Sequence, residues 1–228
     1  MDKFTYKDIY IEDGKRVLEM NVLPEKYCNF DCIFCPIGRS INKIDTQTSF
    51  DKMDNALIEF EKTIEDTKPD LIFINSKGEA LVNDKISDII DLIKRKGIPV
   101  RLLSNGYILG RDEYIKIANK CDEIIGEIKA IKEEDFQKVQ RPIEGYTLEE
   151  YIESMVKFNK QYEGKFIFEI TIIKGYNDDD ESVKKLKNII EKINPDKIII
   201  ERMNDEVFKE KLGISDERYA EISNELLV

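Results

Sequence analysis

Short runs of branched and aromatic residues recur along the chain, separated by longer stretches in which apolar residues return every three or four positions. The runs are "RVLEMNVLP" (16–24), "DLIFINS" (70–76), "VRLLSN" (100–105), "EIIGEIKA" (123–130), "KFIFEITII" (165–173) and "KIIIERM" (197–203). Their length and composition predict strands. The helical spacing between them predicts helices over Phe50–Asp66, Asp84–Lys96, Asp112–Asn119, Leu148–Tyr162 and Asp180–Ile193. Asp51, Asp112 and Asp180 suit helix starts, and Pro69, Pro99 and Pro195 each precede a strand, where a helix must already have stopped. Regular strand–helix alternation argues for an α/β fold with a parallel sheet and helices outside it. The first dozen residues add a strand or short hairpin turning at Asp13-Gly14. No Ser/Gly/Pro-rich linker divides the chain. The expectation is one domain over 1–228, with a core at about 16–204, an N-terminal strand or hairpin (1–15) and a helical tail (205–228).

Composition narrows the chemistry. With 228 residues, 41% of them hydrophobic, the chain can bury a sizeable core. Its 36 basic residues are outnumbered by 47 acidic ones, a net charge of −11, which disfavours non-specific binding to phosphate backbones. There is no histidine and no tryptophan, so histidine triads and histidine–metal sites are excluded. Acid–base work must fall to carboxylates, lysines, tyrosines or cysteines. The amino terminus, "MDKFTYKDIYIEDGK", lacks the apolar core of a secretory signal, and no apolar run approaches the ~18 residues of a membrane helix. The expectation is a cytoplasmic protein, in which clustered cysteines are ligands or catalysts rather than a disulfide framework.

Three of the four cysteines fall within eight residues of "VLPEKYCNFDCIFCPIGRS" (22–40), at Cys28, Cys32 and Cys35. Closely spaced thiolates hold iron–sulfur clusters. A cubane cluster on three ligands leaves one iron open to a substrate or cofactor. Structural zinc is the alternative, but it normally takes four Cys or His ligands, and Cys121 lies on a different unit, where it reads as a small buried hydrophobe. Other strand ends carry polar residues. Gly78 permits close backbone approach and Glu79 suits an ammonium group, while Ser104 and Asn105 stand where α/β folds place ligand contacts. Glu127 and Lys129 interrupt an apolar strand two positions apart, so they share one side. They suit a polar lumen holding a zwitterion, or form a mutual ion pair at an exposed edge. Glu169 is a second carboxylate in an apolar strand.

The C-x3-C-x2-C loop after the first strand, with aromatic Phe34 just before the third cysteine, resembles the hallmark of the radical S-adenosylmethionine (radical SAM) superfamily. The resemblance implies a partial (β/α)6 barrel and a 4Fe–4S cluster on Cys28, Cys32 and Cys35. Its open iron chelates SAM, which is cleaved to methionine and a 5′-deoxyadenosyl radical that abstracts hydrogen. "SKGEA" (76–80) is similar to the family's Gly-Gly-Glu-Pro motif, with Lys77 and Ala80 departing from it, and "SNG" (104–106) to a Thr-Asn-Gly segment. Glu127-x-Lys129 resembles an Asp-x-Lys whose lysine meets the SAM carboxylate, and Glu169 is placed towards the ribose. The implied SAM pocket is thus Phe34, Gly78, Glu79, Ser104, Asn105, Glu127, Lys129 and Glu169. "DFQKVQRP" (135–142) and "ITIIKGYNDDDES" (170–182) extend the likeness to the branch of the wyosine-forming tRNA enzymes, and the latter also to the glycyl-radical activases. The loop itself is most similar to a small, largely unassigned group beside the wyosine enzymes. The implied partners are a low-potential electron donor, flavodoxin or ferredoxin, and a protein or small-molecule substrate. An RNA base is a further substrate, tRNA being disfavoured by the charge and by the missing cysteines of a second cluster. A monomer or weak dimer without membrane attachment is expected. The other reading is a non-catalytic SAM- and cluster-binding redox sensor or partner protein.

Overall fold

A computed structural model describes residues 1–40 and 42–227. Its strands are β1 (Thr5–Tyr6), β2 (Tyr10–Glu12), β3 (Lys15–Asn21), β4 (Tyr27–Cys28), β5 (Asn42–Lys43), β6 (Leu71–Ile74), β7 (Val100–Ser104), β8 (Glu123–Ile128), β9 (Lys165–Ile172) and β10 (Lys197–Arg202). The helices are α1 (Met53–Thr67), α2 (Ile86–Arg95), α3 (Asp112–Ala118), α4 (Glu133–Asp135), α5 (Leu148–Gln161), α6 (Asp180–Ile193), α7 (Lys209–Leu212) and α8 (Asp216–Leu226). A π-helical segment, Phe136–Gln140, continues from α4.

The six expected strands pair in chain order, β3-β6-β7-β8-β9-β10, and every pair is parallel. With helices between successive strands, this is a partial (β/α)6 barrel. β1 and β2 lie antiparallel to β3. The β2–β3 hairpin turns through Asp13 (φ 49°) and Gly14 (φ 76°), two positive φ values that match the twist of a tight hairpin. The tail beyond β10 is helical in α7 and α8, and Val228 lies outside the described residues.

Alternation along each strand makes the two faces. Ile72, Ile74, Val100, Leu102, Ile124, Phe166, Phe168 and Ile170 are all fully buried beneath the helices. The helix α2 answers with Ile86, Ile89, Ile90 and Ile93 at helical spacing. Truncating one of these isoleucines to Ala costs about 2–5 kcal/mol. The opposite strand face lines the lumen and is mixed, with Phe73, Leu103, Ile125 and Ile167 beside Arg101, Glu127 and Glu169.

α3, α5 and α6 begin at the expected Asp112, Leu148 and Asp180, while α1 and α2 begin later than expected, at Met53 and Ile86. The α6 cap is Asp179, whose carboxylate accepts from Ser182 N at 2.7 Å, leaving Asp180 in the first turn. Three consecutive aspartates offer the same chemistry, and the cap goes to the one with extended backbone. α3 begins at Asp112 as expected, with Arg111 before it, whereas α1 starts after Lys52 in a left-handed conformation and not at Asp51. Among the described residues no helix is long and apolar enough to cross a membrane.

Candidate active site

The segment between β3 and α1 carries the three cysteines across the carboxyl ends of the strands. Asp31, 2% exposed, organises it. Its carboxylate accepts from Ser40 N at 2.7 Å and pairs with Arg39 at 2.6 Å, with Lys26 Nζ at 3.8 Å. Lys26 also donates to the Gly38 carbonyl, closing the loop on itself. On the other side the loop rests on the π-helical segment, where Asp31 N donates to Gln140 O (3.0 Å) and Ile33 N to Val139 O (2.9 Å). Phe30 packs edge-on against Tyr107, Phe136 and Tyr151.

Cys28, Cys32 and Cys35 line one cavity of about 550 Å³, together with Phe34, Gly78, Asn105, Glu127 and Lys129. Among the described residues no three His, Cys, Asp or Glu side chains gather closely enough to hold a single metal ion. The thiols as they stand are therefore not a preformed mononuclear shell, which needs sulfurs about 2.3 Å from one zinc. Burial pushes both the Cys28 and the Cys32 thiol up to about 12. Lys129 pulls Cys32 back, while Phe30 N–H, Lys26 and Asn105 pull Cys28 back. The metal-free site thus holds these two thiols protonated at neutral pH, and loading metal releases those protons.

The other sequence candidates divide in two. Gly78 (φ 150°) brings its backbone against Tyr27, and an added Cβ would lie 2.0 Å from Tyr27 O. That contact fixes the β6 end beside Cys28 through Glu79 N donating to Tyr27 O at 2.8 Å. Lys129 Nζ meets Glu127 Oε2 at 2.5 Å on the cavity wall. Burial pulls the lysine's pKa down, but Glu127 and Cys32 outweigh it and hold the ammonium above its ordinary range. The two side chains pair in the ligand-free chain, but at the end of a central strand facing the cavity and not at an exposed edge. Glu169, beside Glu127 in the β8–β9 register, lines a second cavity of about 530 Å³. Both cavities are lined by Asn75, Leu103 and Glu127. Burial and the Glu127 carboxylate raise Glu169 to about 8.

Glu79 and Ser104 stand elsewhere than expected. Glu79 is fully buried behind the cavity wall, its Oε2 accepting from Ser104 Oγ (2.9 Å) and Asn105 N (2.9 Å), its Oε1 from Leu81 N (3.2 Å). β6 ends at Ile74 and the chain bends at Lys77-Gly78, so Glu79 lies beyond the strand's alternation, and its carboxylate turns inward to Ser104 and Asn105. Burial raises its pKa to about 7, against three hydrogen bonds that lower it.

Sequence reasoning did not single out Asn29, Lys26, Asp31, Gln140 or Asn177. Asn29 is fully buried and its side chain pairs with that of Asn105. Asn177 donates to Lys129 O (3.1 Å) and Thr171 O (2.9 Å), tying the ends of β8 and β9 together. Gln140 is 1% exposed, lines the cavity and leaves its Oε1 without a partner. The available signal was polar residues set among apolar ones, in "CNFDC" and "KGYN", which marks buried hydrogen bonding but not its partners.

Residues 23–186 match the family model described as the Radical SAM superfamily. The chain belongs to this superfamily. Among curated relatives, a UPF0026 protein of Methanocaldococcus jannaschii is 24% identical over 183 residues, 79% of this chain and 57% of that protein. A UPF0026 protein of Helicobacter pylori (strain J99) is 27% identical over 178 residues, 75% of this chain and 56% of that one. The chain therefore spans little more than half the length of these curated relatives. Among solved structures, TYW1 with a lysine–pyruvate adduct bound superposes at a TM-score of 0.67 and 16% identity, covering 92% of this chain and 72% of TYW1. Streptococcus suis SuiB bound to S-adenosylmethionine gives 0.64 and 13%, covering 90% and 46%. At these identities the likeness concerns the radical SAM fold.

Proposed function

We propose that the chain is an enzyme that carries a 4Fe–4S cluster on Cys28, Cys32 and Cys35 and cleaves SAM reductively. The observation that carries this reading is three thiols on one pinned loop, lining one cavity with no fourth cysteine or histidine beside them among the described residues. The donor set fits such a cluster, since thiolates are its ligands and Cys28 already accepts N–H···S bonds from Phe30 N (3.4 Å) and Asn105 Nδ2 (3.5 Å). When bound and reduced by one electron from the low-potential donor, the cluster would pass that electron to the SAM sulfonium and so supply its cleavage to methionine and a 5′-deoxyadenosyl radical, which would take a hydrogen atom from substrate.

The protein's part is to bind, orient and exclude water. Lys129, released from Glu127, offers an ammonium to the SAM carboxylate. Gly78 and Asn105 bring the strand ends close to the amino-acid moiety. Phe34 and Met203, in an apolar group with Val139 and Ile173, give a wall suited to a flat base. Glu169 and the second cavity form the chamber for ribose and the substrate group that loses hydrogen. The partners of this reading are a low-potential donor, flavodoxin or ferredoxin, and a substrate that is a protein segment or a small molecule.

Anaerobic protein given a low-potential reductant and SAM should release 5′-deoxyadenosine and methionine slowly even without substrate. One observation favours a second reading, a non-catalytic cluster-binding partner: Lys77 lines the cavity and puts a cation where the related motif has a glycine. A reduced cluster that binds SAM yet yields no deoxyadenosine with any substrate would establish that second reading.

A further inference from the structure

The Asn105 side chain has every polar hydrogen and its oxygen accounted for. Its Oδ1 accepts from Tyr107 N at 3.2 Å within its own turn. A backbone N–H can only donate, so the oxygen must face Tyr107 and the amide nitrogen must face the other way. One Nδ2 hydrogen goes to Asn29 Oδ1 and the other to Cys28 Sγ at 3.5 Å. Asn29 is itself in the cysteine loop and fully buried, so the amide pair locks that loop to the end of β7. Behind Asn105, Glu79 accepts from its backbone N–H and from Ser104 Oγ, whose oxygen in turn accepts from Gly106 N at 3.1 Å. A fully buried carboxylate thus fixes the whole 104–106 turn that presents the amide to the sulfur.

We propose that Asn105 is an outer hydrogen-bond donor to the Cys28 sulfur that raises the reduction potential of the cluster bound there, and that Glu79 serves as a positioning residue for Asn105 rather than a contact to SAM. The inference rests on the cluster reading above. Charge on a cluster's sulfurs grows on reduction, so an N–H aimed at one of them stabilises the reduced form more than the oxidised. Asn105 supplies one such donor by side chain, where Phe30 N supplies the other by backbone. Removing the side-chain donor makes the cluster harder to reduce. The cleft around the sulfur is buried, so water does not replace the lost bond at full strength.

The test is an EPR-monitored redox titration of reconstituted, SAM-free protein, with iron and acid-labile sulfide measured on each sample. Asn105→Ala, and the isosteric Asn105→Asp, should keep a full cluster and shift its potential negative. The reduction equilibrium should move by about threefold to tenfold, a tenfold change reading as ~59 mV for one electron. The aspartate should shift it further, because it faces the sulfur with an acceptor. Glu79→Gln should shift the potential in the same direction by less, with SAM affinity within about twofold of wild type. Unchanged potentials in both Asn105 variants at full cluster content overturn the inference. So does a tenfold loss of SAM affinity in Glu79→Gln with an unchanged potential. Wild-type protein that takes up no labile sulfide overturns the cluster reading itself, a different result.

Discussion

Glu79 gives the sharpest test of how the site is built, because its carboxylate is fully buried and bonded to three donors. Burial raises its pKa from 4.5 to about 7. The folded chain therefore holds this proton more tightly than the unfolded one. Its contribution is fully present below pH 4.5 and is lost as pH rises through 7. At ~1.36 kcal/mol per unit, the full loss is about 3 kcal/mol. Between pH 5.5 and 8.5 linkage leaves about 2 kcal/mol of it, since part has gone by 5.5. Glu79→Gln cannot ionise, so it escapes this loss, but its amide N–H₂ confronts Leu81 N and leaves a donor unsatisfied, costing about 1–3 kcal/mol. The variant should thus be clearly less stable than wild type at pH 5.5 and close to it at pH 8.5. Urea unfolding of the metal-free protein at the two pH values measures this. The difference between variant and wild type cancels other titrating groups such as Glu169. A cost equal at both pH values, within about 0.5 kcal/mol, would refute the reasoning that burial governs this carboxylate. Glu79→Ala should cost more than the glutamine at pH 5.5, because it orphans all three donors.

Three further outcomes are expected. Ser at Cys28, Cys32 or Cys35 should abolish acid-labile sulfide in the reconstituted protein, while Cys121→Ser, buried away from the loop, should retain it. Gly78→Ala should lower stability by at least about 2 kcal/mol in urea, because its Cβ meets backbone at Tyr27, whereas Gly14→Ala, with open space around it, should cost about 1. Lys129→Met should weaken SAM binding by about one to two orders of magnitude, from ~1.5–3 kcal/mol for a charge-assisted bond. Glu127→Gln, which frees the lysine, should not weaken it. An equal loss in both variants in an anaerobic titration would assign the binding to the pair rather than to the lysine.

The barrel was legible in the sequence because burial under helices needs apolar residues at every second strand position, and "DLIFINS" or "KFIFEITII" can satisfy that only as strands. The cysteine loop was legible because ligand spacing is local. What stayed hidden were partnerships across the chain. Asp31 bonds to Gln140, Asn29 to Asn105 and Glu79 to Ser104, each joining segments that only the closed barrel brings together. The direction of Glu79 was hidden for a more local reason. β6 ends at Ile74 and the chain bends at Lys77-Gly78, so a motif read from local residue types does not say which way a carboxylate beyond the strand points. Likewise, "DDDES" shows that a helix begins there but not which aspartate caps it.

The same hidden bonds decide what kind of site this is. A loop with only three thiols to hold it would take its shape from whatever metal arrived. Here Asp31 ties both flanks of the cysteines, through Lys26 before them and through Arg39 and Ser40 after them, and the π-helical segment supports the middle. The ligand-free loop is therefore already ordered by ion pairs to the buried Asp31 and by backbone bonds. The conformational entropy of arranging three cysteines, about 1–2 kcal/mol per residue fixed, is met by folding rather than by metal binding. The barrel strands then act on that fixed loop from below. β6 reaches it through Gly78 against Tyr27, β7 through Asn105 against Cys28, and β8 through Lys129 close to Cys32. Three successive strand ends thus bear on the loop, β6 and β7 by contact beside a cysteine and β8 through the charge of Lys129. Gly78 acts through backbone packing against Tyr27. Substituting Asn105 or Lys129 instead perturbs the electrostatics of the site while leaving the ligands in place, which is why potential and affinity, more than cluster content, separate their roles.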